Sequence, residues 1–116
     1  MSAATARQST RHWWHQRLTA IALAPLSVWF IYALTTLPSI EYESARDWVA
    51  APLTTVLLII FIPCLFHHAQ SGMQVVLEDY VNSDSQRAVM ITLVKLTAVV
   101  AAAISIVAIL KIYIGN

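Results

Sequence analysis

The sequence contains few charged residues, only two glycines and a single cysteine. Lys, Arg, Asp and Glu make up 11% of its 116 residues, whereas about a quarter is usual for a water-soluble domain. Because 59% of the residues are hydrophobic, we expect the chain to lie in a lipid bilayer. The lone cysteine, Cys64, excludes an internal disulfide and cannot build a metal site by itself. A net charge of +1 gives no reason to expect a nucleic-acid partner.

Three long apolar runs predict the architecture. They cover residues 18–37, 49–77 and 88–114, and about 20 residues of helix span about 30 Å, which is enough to cross a bilayer. The first run is too long for the hydrophobic part of a signal peptide and no small-residue cleavage site follows it, so we expect it to be retained. The expected fold class is an all-α membrane protein, with residues 1–116 forming a single domain of three transmembrane helices.

Polar segments separate the three runs. Residues 1–10 are small and polar and are expected to form a mobile tail, while residues 38–47 are expected to form an acidic loop. Residues 81–87 are expected to form a turn. Within it, Ser83 and Gln86 have the spacing of a capping box, in which each side chain bonds the backbone N–H of the other residue.

The distribution of basic residues predicts the orientation. Most of them lie before the first run or close to the second loop: Arg7, Arg11, Arg17, Arg87 and Lys95. The other side of the predicted spans has only Arg46 and Lys111. Because basic residues are retained on the cytoplasmic side, we expect the N-terminus in the cytoplasm, or in the mitochondrial matrix.

The most informative residue is His68, inside the second run. An ionisable residue at bilayer depth is costly and is therefore a functional candidate. Tyr80 lies about 18 Å further along a helix, so an interfacial Tyr80 places His68 near the middle of the hydrocarbon. The imidazole can bridge helices by a hydrogen bond or ligate a metal through its free nitrogen. Ser71 and Gly72 lie beside it on the helix and are candidate cofactor contacts, since the glycine leaves room for a flat macrocycle or for a neighbouring helix.

The other histidines restrict this chemistry. His67 points about 100° away from His68 on a helix, so the two cannot hold one iron from opposite sides. His12 and His15 belong to the N-terminal arm and are expected far from that depth. If His68 binds a haem iron, the opposite ligand comes from another chain, or the iron is five-coordinate. We expect His67 to be a packing or hydrogen-bonding residue.

Asp79 and Tyr80 lie where the second run ends. Tyrosines and acidic residues are common just outside the hydrocarbon, which is the simplest explanation for both. Alternatively, the phenol donates a hydrogen bond to a carbonyl of a lipid-soluble ligand, and Asp79 orients it or relays protons. Arg17 either anchors the first helix or contacts an acidic group such as a haem propionate.

Two motifs resemble a known family. They are HWWHQRLTAIALAPL at residues 12–26 and HAQSGMQVVLEDYV at residues 68–81. In these motifs, in length and in its three-span layout, the chain resembles the D-type hydrophobic membrane-anchor subunits of succinate dehydrogenase, respiratory complex II. The resemblance extends over nearly the whole chain.

The resemblance implies roles for the matching residues. His68 matches an axial ligand of haem b, and the other ligand comes from a partner cytochrome subunit. Tyr80 matches the tyrosine that hydrogen-bonds ubiquinone, and Asp79 matches the aspartate beside it. Arg17 matches an arginine near the haem propionates and the quinone pocket.

The resemblance also implies partners and a location. Subunits of this kind pair with a three-helix cytochrome b556-type membrane subunit, and together they anchor a flavoprotein subunit with FAD and an iron–sulfur subunit. Electrons from succinate then pass through FAD and the iron–sulfur clusters to ubiquinone, and the anchor performs no succinate chemistry. The expected location is the bacterial inner (cytoplasmic) membrane, or the mitochondrial inner membrane.

Two other functions remain open. The anchor of a quinol:fumarate reductase shares the same layout, and sequence separates it poorly from a succinate dehydrogenase anchor. A membrane scaffold or transporter subunit without a cofactor would use His68 only to bridge helices.

Overall fold

The computed structural model describes residues 3–115 and is built from helices. In chain order they are α1 (Ala3–Thr35), α2 (Tyr42–Ala50), α3 (Pro52–Tyr80) and α4 (Asp84–Ile114). Three of them contain stretches long and apolar enough to cross a membrane, at Ala6–Thr35, Pro52–Tyr80 and Asp84–Ile114. The prediction of an all-α chain with three transmembrane helices is confirmed at this level.

Helix α1 begins much earlier than predicted. Residues 3–10 are helical, so the expected tail is wrong for them, and Met1 and Ser2 lie outside the described residues. Alanine is the best helix former, and no glycine or proline occurs before Pro25 to interrupt the helix. The basic, tryptophan-containing segment therefore continues the axis of the first apolar run.

The short helix α2 begins within the predicted acidic loop and extends beyond it to Ala50. The next residue, Ala51, has an extended backbone, because the residue before a proline is pushed out of the helical region. Pro52 then opens α3, where its missing N–H costs nothing, so the second span starts three residues later than predicted. The Thr55 hydroxyl donates to the Val49 carbonyl at 2.7 Å and links the two helices.

Helix α4 begins at Asp84 rather than at the predicted residue 88. The Ser83 hydroxyl accepts a hydrogen bond from the Gln86 backbone N–H at 3.4 Å, which confirms that half of the predicted capping box. Arg87 pairs with Asp84 and also donates to the Val81 carbonyl at 2.9 Å. These contacts order the turn between α3 and α4.

Helix α3 is central, since it packs against each of the other three helices. The buried hydrophobic cluster is small and consists of Leu23, Leu58, Phe61 and Ile109. Trp29 of α1 and Trp48 of α2 stack beside it with ring centroids 6.0 Å apart. Most large apolar side chains of the described residues are exposed, as expected where lipid or other membrane helices cover the surface.

Candidate functional site

His68 faces helix α1. Its Nδ1 atom lies 3.2 Å from the Thr19 hydroxyl oxygen, and the side chain is half-buried. The same hydroxyl is 2.9 Å from the His15 carbonyl and 3.0 Å from the Gln16 carbonyl. His68 therefore bridges α1 and α3 through one ring nitrogen, whereas Nε2 forms no hydrogen bond within residues 3–115.

His67 faces a different neighbour from His68. Its ring lies edge-on to that of His15, with centroids 6.3 Å apart, and it shares the lining of a cavity with His12. The expectation that His12 and His15 lie far from the histidine pair is wrong. Because α1 continues as a helix to Ala3 and runs alongside α3, its first turns are brought next to the pair.

The same helix pairing gives the register of His68 against α1. Its partner Thr19 follows Arg17 by two residues, which is about 3 Å along a helix. His68 is therefore level with the basic beginning of the first apolar run and not with its middle.

Ser71 and Gly72 differ in their surroundings. Ser71 is buried, with 3% of its surface exposed, so it faces the helices of this chain. Among residues 3–115, a Cβ atom added at Gly72 would meet no atom within 4 Å, so the glycine borders open space in this part of the chain. Of the two predicted cofactor contacts, Gly72 is the better placed for a group that approaches from outside.

A polar stripe on α3 was missed by sequence reasoning. It consists of His67, Gln70, Gln74 and Glu78, which recur at the three- and four-residue spacing of one helix face. The Gln70 amide donates to Gln74 at 3.0 Å, and the Gln74 amide donates to Glu78 at 2.9 Å. The spacing of polar residues inside an apolar helix was the available signal.

The polar stripe borders a cavity of about 500 Å³ together with residues of α1 and α4. Lys95 of α4 lines this cavity together with His67 and Glu78. The lysine is exposed as well. One side of α3 thus carries polar groups, of which Gln70, Gln74 and Glu78 are linked by hydrogen bonds.

The predicted quinone contacts lie at the surface. Tyr80 is the last residue of α3 and 80% of its surface is exposed, and Asp79 is also exposed. Arg17 is exposed as well, and its guanidinium lies 4.4 Å from the centre of the Trp13 ring. Within residues 3–115, no hydrogen bond or ion pair joins these residues to one another or to His68.

The donor atoms present fit a haem better than a metal ion that is bound only by side chains. No cluster of three or more His, Cys, Asp or Glu side chains able to hold a metal occurs in the described part of the chain. A haem needs only axial ligands from the protein, since the porphyrin supplies the other donors. A single histidine with one nitrogen hydrogen-bonded, and open space at Gly72, fits one side of such a group.

Comparison with known proteins gives a consistent result. The family model for the succinate dehydrogenase/fumarate reductase transmembrane subunit matches residues 2–106. The chain is 35% identical over 99 residues to the succinate dehydrogenase hydrophobic membrane anchor subunit of Rickettsia felis, covering 85% of this chain and 82% of that protein. The corresponding subunit of Rickettsia conorii is 34% identical over 100 residues, with 85% and 79% covered.

A more distant relative agrees with these matches. The succinate dehydrogenase membrane anchor subunit of Reclinomonas americana is 26% identical over 96 residues, with 80% of each chain covered. No solved structure gives a significant match. The extent of the family match shows that the chain belongs to the succinate dehydrogenase/fumarate reductase transmembrane subunit family.

Proposed function

We propose that this chain is the membrane anchor subunit of a succinate:ubiquinone oxidoreductase and contributes one side of a haem b site and part of a ubiquinone site. The similar subunits of Rickettsia and Reclinomonas are named as succinate dehydrogenase membrane anchors. Three apolar helices with mostly exposed outer surfaces support the same role, because an anchor must contact both lipid and partner subunits.

The single observation that carries the haem proposal is the contact between His68 and Thr19. It holds the imidazole between two helices and leaves the second ring nitrogen without a partner in the described residues. When bound, a haem supplies a one-electron carrier inside the membrane. His68 would be one axial ligand, and a cytochrome b subunit would supply the other.

Tyr80 and Asp79 form the proposed quinone contact. The Tyr80 phenol donates a hydrogen bond to a ubiquinone carbonyl, and the Asp79 carboxylate beside it orients the phenol or passes protons. Both side chains are exposed in the isolated chain, so partner subunits must close the other sides of the pocket. Arg17, also exposed, would meet a haem propionate.

The proposed haem and quinone sites imply which partner subunits this chain needs. A second three-helix subunit covers the open space at Gly72, while flavoprotein and iron–sulfur subunits carry FAD and the clusters and dock near Tyr80. The basic N-terminal arm then faces the cytoplasm or matrix, as the excess of basic residues favours. The complex lies in the bacterial inner membrane, or in the mitochondrial inner membrane.

A quinol:fumarate reductase anchor is the second candidate, because the matching family model covers subunits of both enzymes. Comparing the rates of succinate oxidation by a quinone and fumarate reduction by the quinol in the purified complex separates the two. Faster fumarate reduction would favour the second candidate.

The decisive test is purification of the complex from membranes through a tag on this chain. Flavin, iron–sulfur clusters and a b-type haem should co-purify, and a reduced-minus-oxidised spectrum should show the haem. A preparation with none of these groups would favour a cofactor-free scaffold, in which His68 only bridges α1 and α3.

A further inference from the structure

The Thr19 hydroxyl has one hydrogen and three oxygen or nitrogen neighbours. The carbonyls of His15 and Gln16 lie at 2.9 and 3.0 Å, and Nδ1 of His68 lies at 3.2 Å. A threonine in a helix commonly donates to a carbonyl three or four residues earlier. Because the two carbonyls are closer than the imidazole, the hydroxyl hydrogen points back along α1.

The direction of that hydrogen determines the state of the imidazole. With its hydrogen directed along α1, the Thr19 oxygen presents lone pairs to α3 and can only accept from Nδ1. A neutral imidazole carries one N–H, and the hydrogen bond at one nitrogen determines which nitrogen stays free. A proton on Nδ1 of His68 therefore leaves Nε2 with its lone pair.

We propose that Thr19 is a positioning residue that holds His68 in the neutral tautomer protonated on Nδ1, so that Nε2 is the nitrogen presented for coordination. The inference deepens the proposed function, since it names the group on this chain that prepares the haem ligand. Metal-ligating histidines almost always donate their other N–H to an oxygen, which orients the ring and raises its basicity.

Thr97 provides the matched control. The Thr97 hydroxyl donates to the Leu93 carbonyl at 2.8 Å in the same four-residue pattern, and it is exposed on α4. Within residues 3–115 it has no imidazole beside it. Changing Thr97 to valine removes an equivalent helix contact without touching His68, whereas changing Thr19 to valine removes both.

The first measurement needs no haem. The full chain, labelled with nitrogen-15 in histidine and reconstituted in lipid bilayers, is studied by solid-state NMR, with the His68 signals assigned from a His68→Gln sample. We expect Nδ1 to be the protonated nitrogen in the unchanged chain, in Thr97→Val and in Thr19→Ser, which retains the hydroxyl. In Thr19→Val we expect a mixture of tautomers. An unchanged tautomer in Thr19→Val, or a proton on Nε2 in the unchanged chain, would overturn the proposal.

The second measurement uses the purified complex. Loss of a hydrogen-bond partner behind a metal ligand costs about 10- to 100-fold in metal affinity, so Thr19→Val should lower haem retention about tenfold after detergent washing, and Thr19→Ser should restore it. The haem potential should rise in Thr19→Val, because a less basic imidazole stabilises the ferric state less. Equal haem retention and potential in the Thr19 and Thr97 valine variants would contradict the role of Thr19 at the haem.

The two proposals fail in different ways. A complex without b-type haem removes the haem function, while the NMR experiment still decides whether Thr19 sets the tautomer of His68. A complex whose haem depends on His68 but not on Thr19 keeps the proposed function and rejects Thr19 as a positioning residue.

Discussion

The seam between α1 and α3 and the end of α3 at Tyr80 differ in how much of their structure this chain provides. In the seam, His68 meets Thr19 at 3.2 Å and His67 meets the His15 ring. At the end of α3, Asp79 and Tyr80 are exposed. The comparison indicates that this chain alone orients the histidine, whereas it leaves the tyrosine exposed.

The largest effect is expected when the proposed ligand itself is removed. His68→Ala should reduce the haem content of the complex by more than about tenfold, since loss of a ligand costs at least as much as loss of a supporting group. His67→Ala is the matched control, because His67 is exposed and contacts His15 instead of Thr19. Optical spectra of purified complexes provide the measurement. Equal haem loss, or equal haem retention, in the two variants would contradict the assignment of His68 rather than His67 as the ligand.

A second change tests the open space beside the seam. Gly72→Leu should leave the isolated chain folded, since a Cβ there meets no atom within 4 Å in the described part of the chain. In the complex, the added side chain should weaken subunit association or haem binding by about 1 to 3 kcal/mol, which is the usual cost of overpacking. Co-purification of the cytochrome subunit measures this effect, with Ala103→Leu on the exposed face of α4 as the control. Full assembly of the Gly72 variant would show that no partner or cofactor covers this position.

A substitution at the end of α3 should change the rate of quinone turnover but not the assembly of the complex. Tyr80→Phe removes one hydrogen bond to the quinone, worth about 1 kcal/mol, or about a fivefold loss of quinone reduction. Succinate oxidation with a soluble dye acceptor and the haem content should remain unchanged. Because Tyr80 is 80% exposed in the isolated chain, its removal should not unfold the helix. Unchanged quinone turnover would leave Tyr80 as an interfacial aromatic residue.

The smallest effect is expected in the turn beyond Tyr80. Ser83→Ala removes the acceptor for the Gln86 N–H, and loss of such a cap costs about 0.5 to 1 kcal/mol in a solvent-exposed site. Unfolding of the complex in detergent should shift accordingly, with no change in the haem spectrum. Thr92→Ala, at an exposed position further along α4, serves as the control, since the Ser85 hydroxyl lies 3.3 Å from the Ser83 hydroxyl and would itself disturb the cap. Loss of haem in Ser83→Ala would show that the turn affects the contact between α1 and α3, and would contradict the independence of the two regions.

Much of the fold could be predicted because it depends on local properties of the sequence. The three apolar runs become α1, α3 and α4, and the Ser83 cap forms because serine and the following N–H are close in sequence. The helical start of α1 was missed because polar, alanine-containing segments have no hydrophobic periodicity. The short helix α2 was missed because nine residues form a helix mainly through packing.

Less of the site could be predicted, because it depends on how helices meet. The alternative considered for His68, a hydrogen bond between helices, is present as its contact with Thr19, whereas its role as a haem ligand stays a prediction. The proximity of His15 to His67 depends on how far α1 slides along α3, and no local pattern contains that register. The roles of Tyr80, Asp79 and Arg17 stay predictions, since they depend on groups supplied by other chains.

The buried cluster of Leu23, Leu58, Phe61 and Ile109, with the stacked Trp29 and Trp48 beside it, lies in the half of the bundle away from Tyr80. The bundle is thus held together mainly at one end. Local opening costs the least free energy where few apolar contacts must be broken. Amide hydrogens in the last turns of α3 should exchange before those around Phe61. Opening at that end would give neighbouring subunits access to α3 while the cluster around Phe61 stays folded.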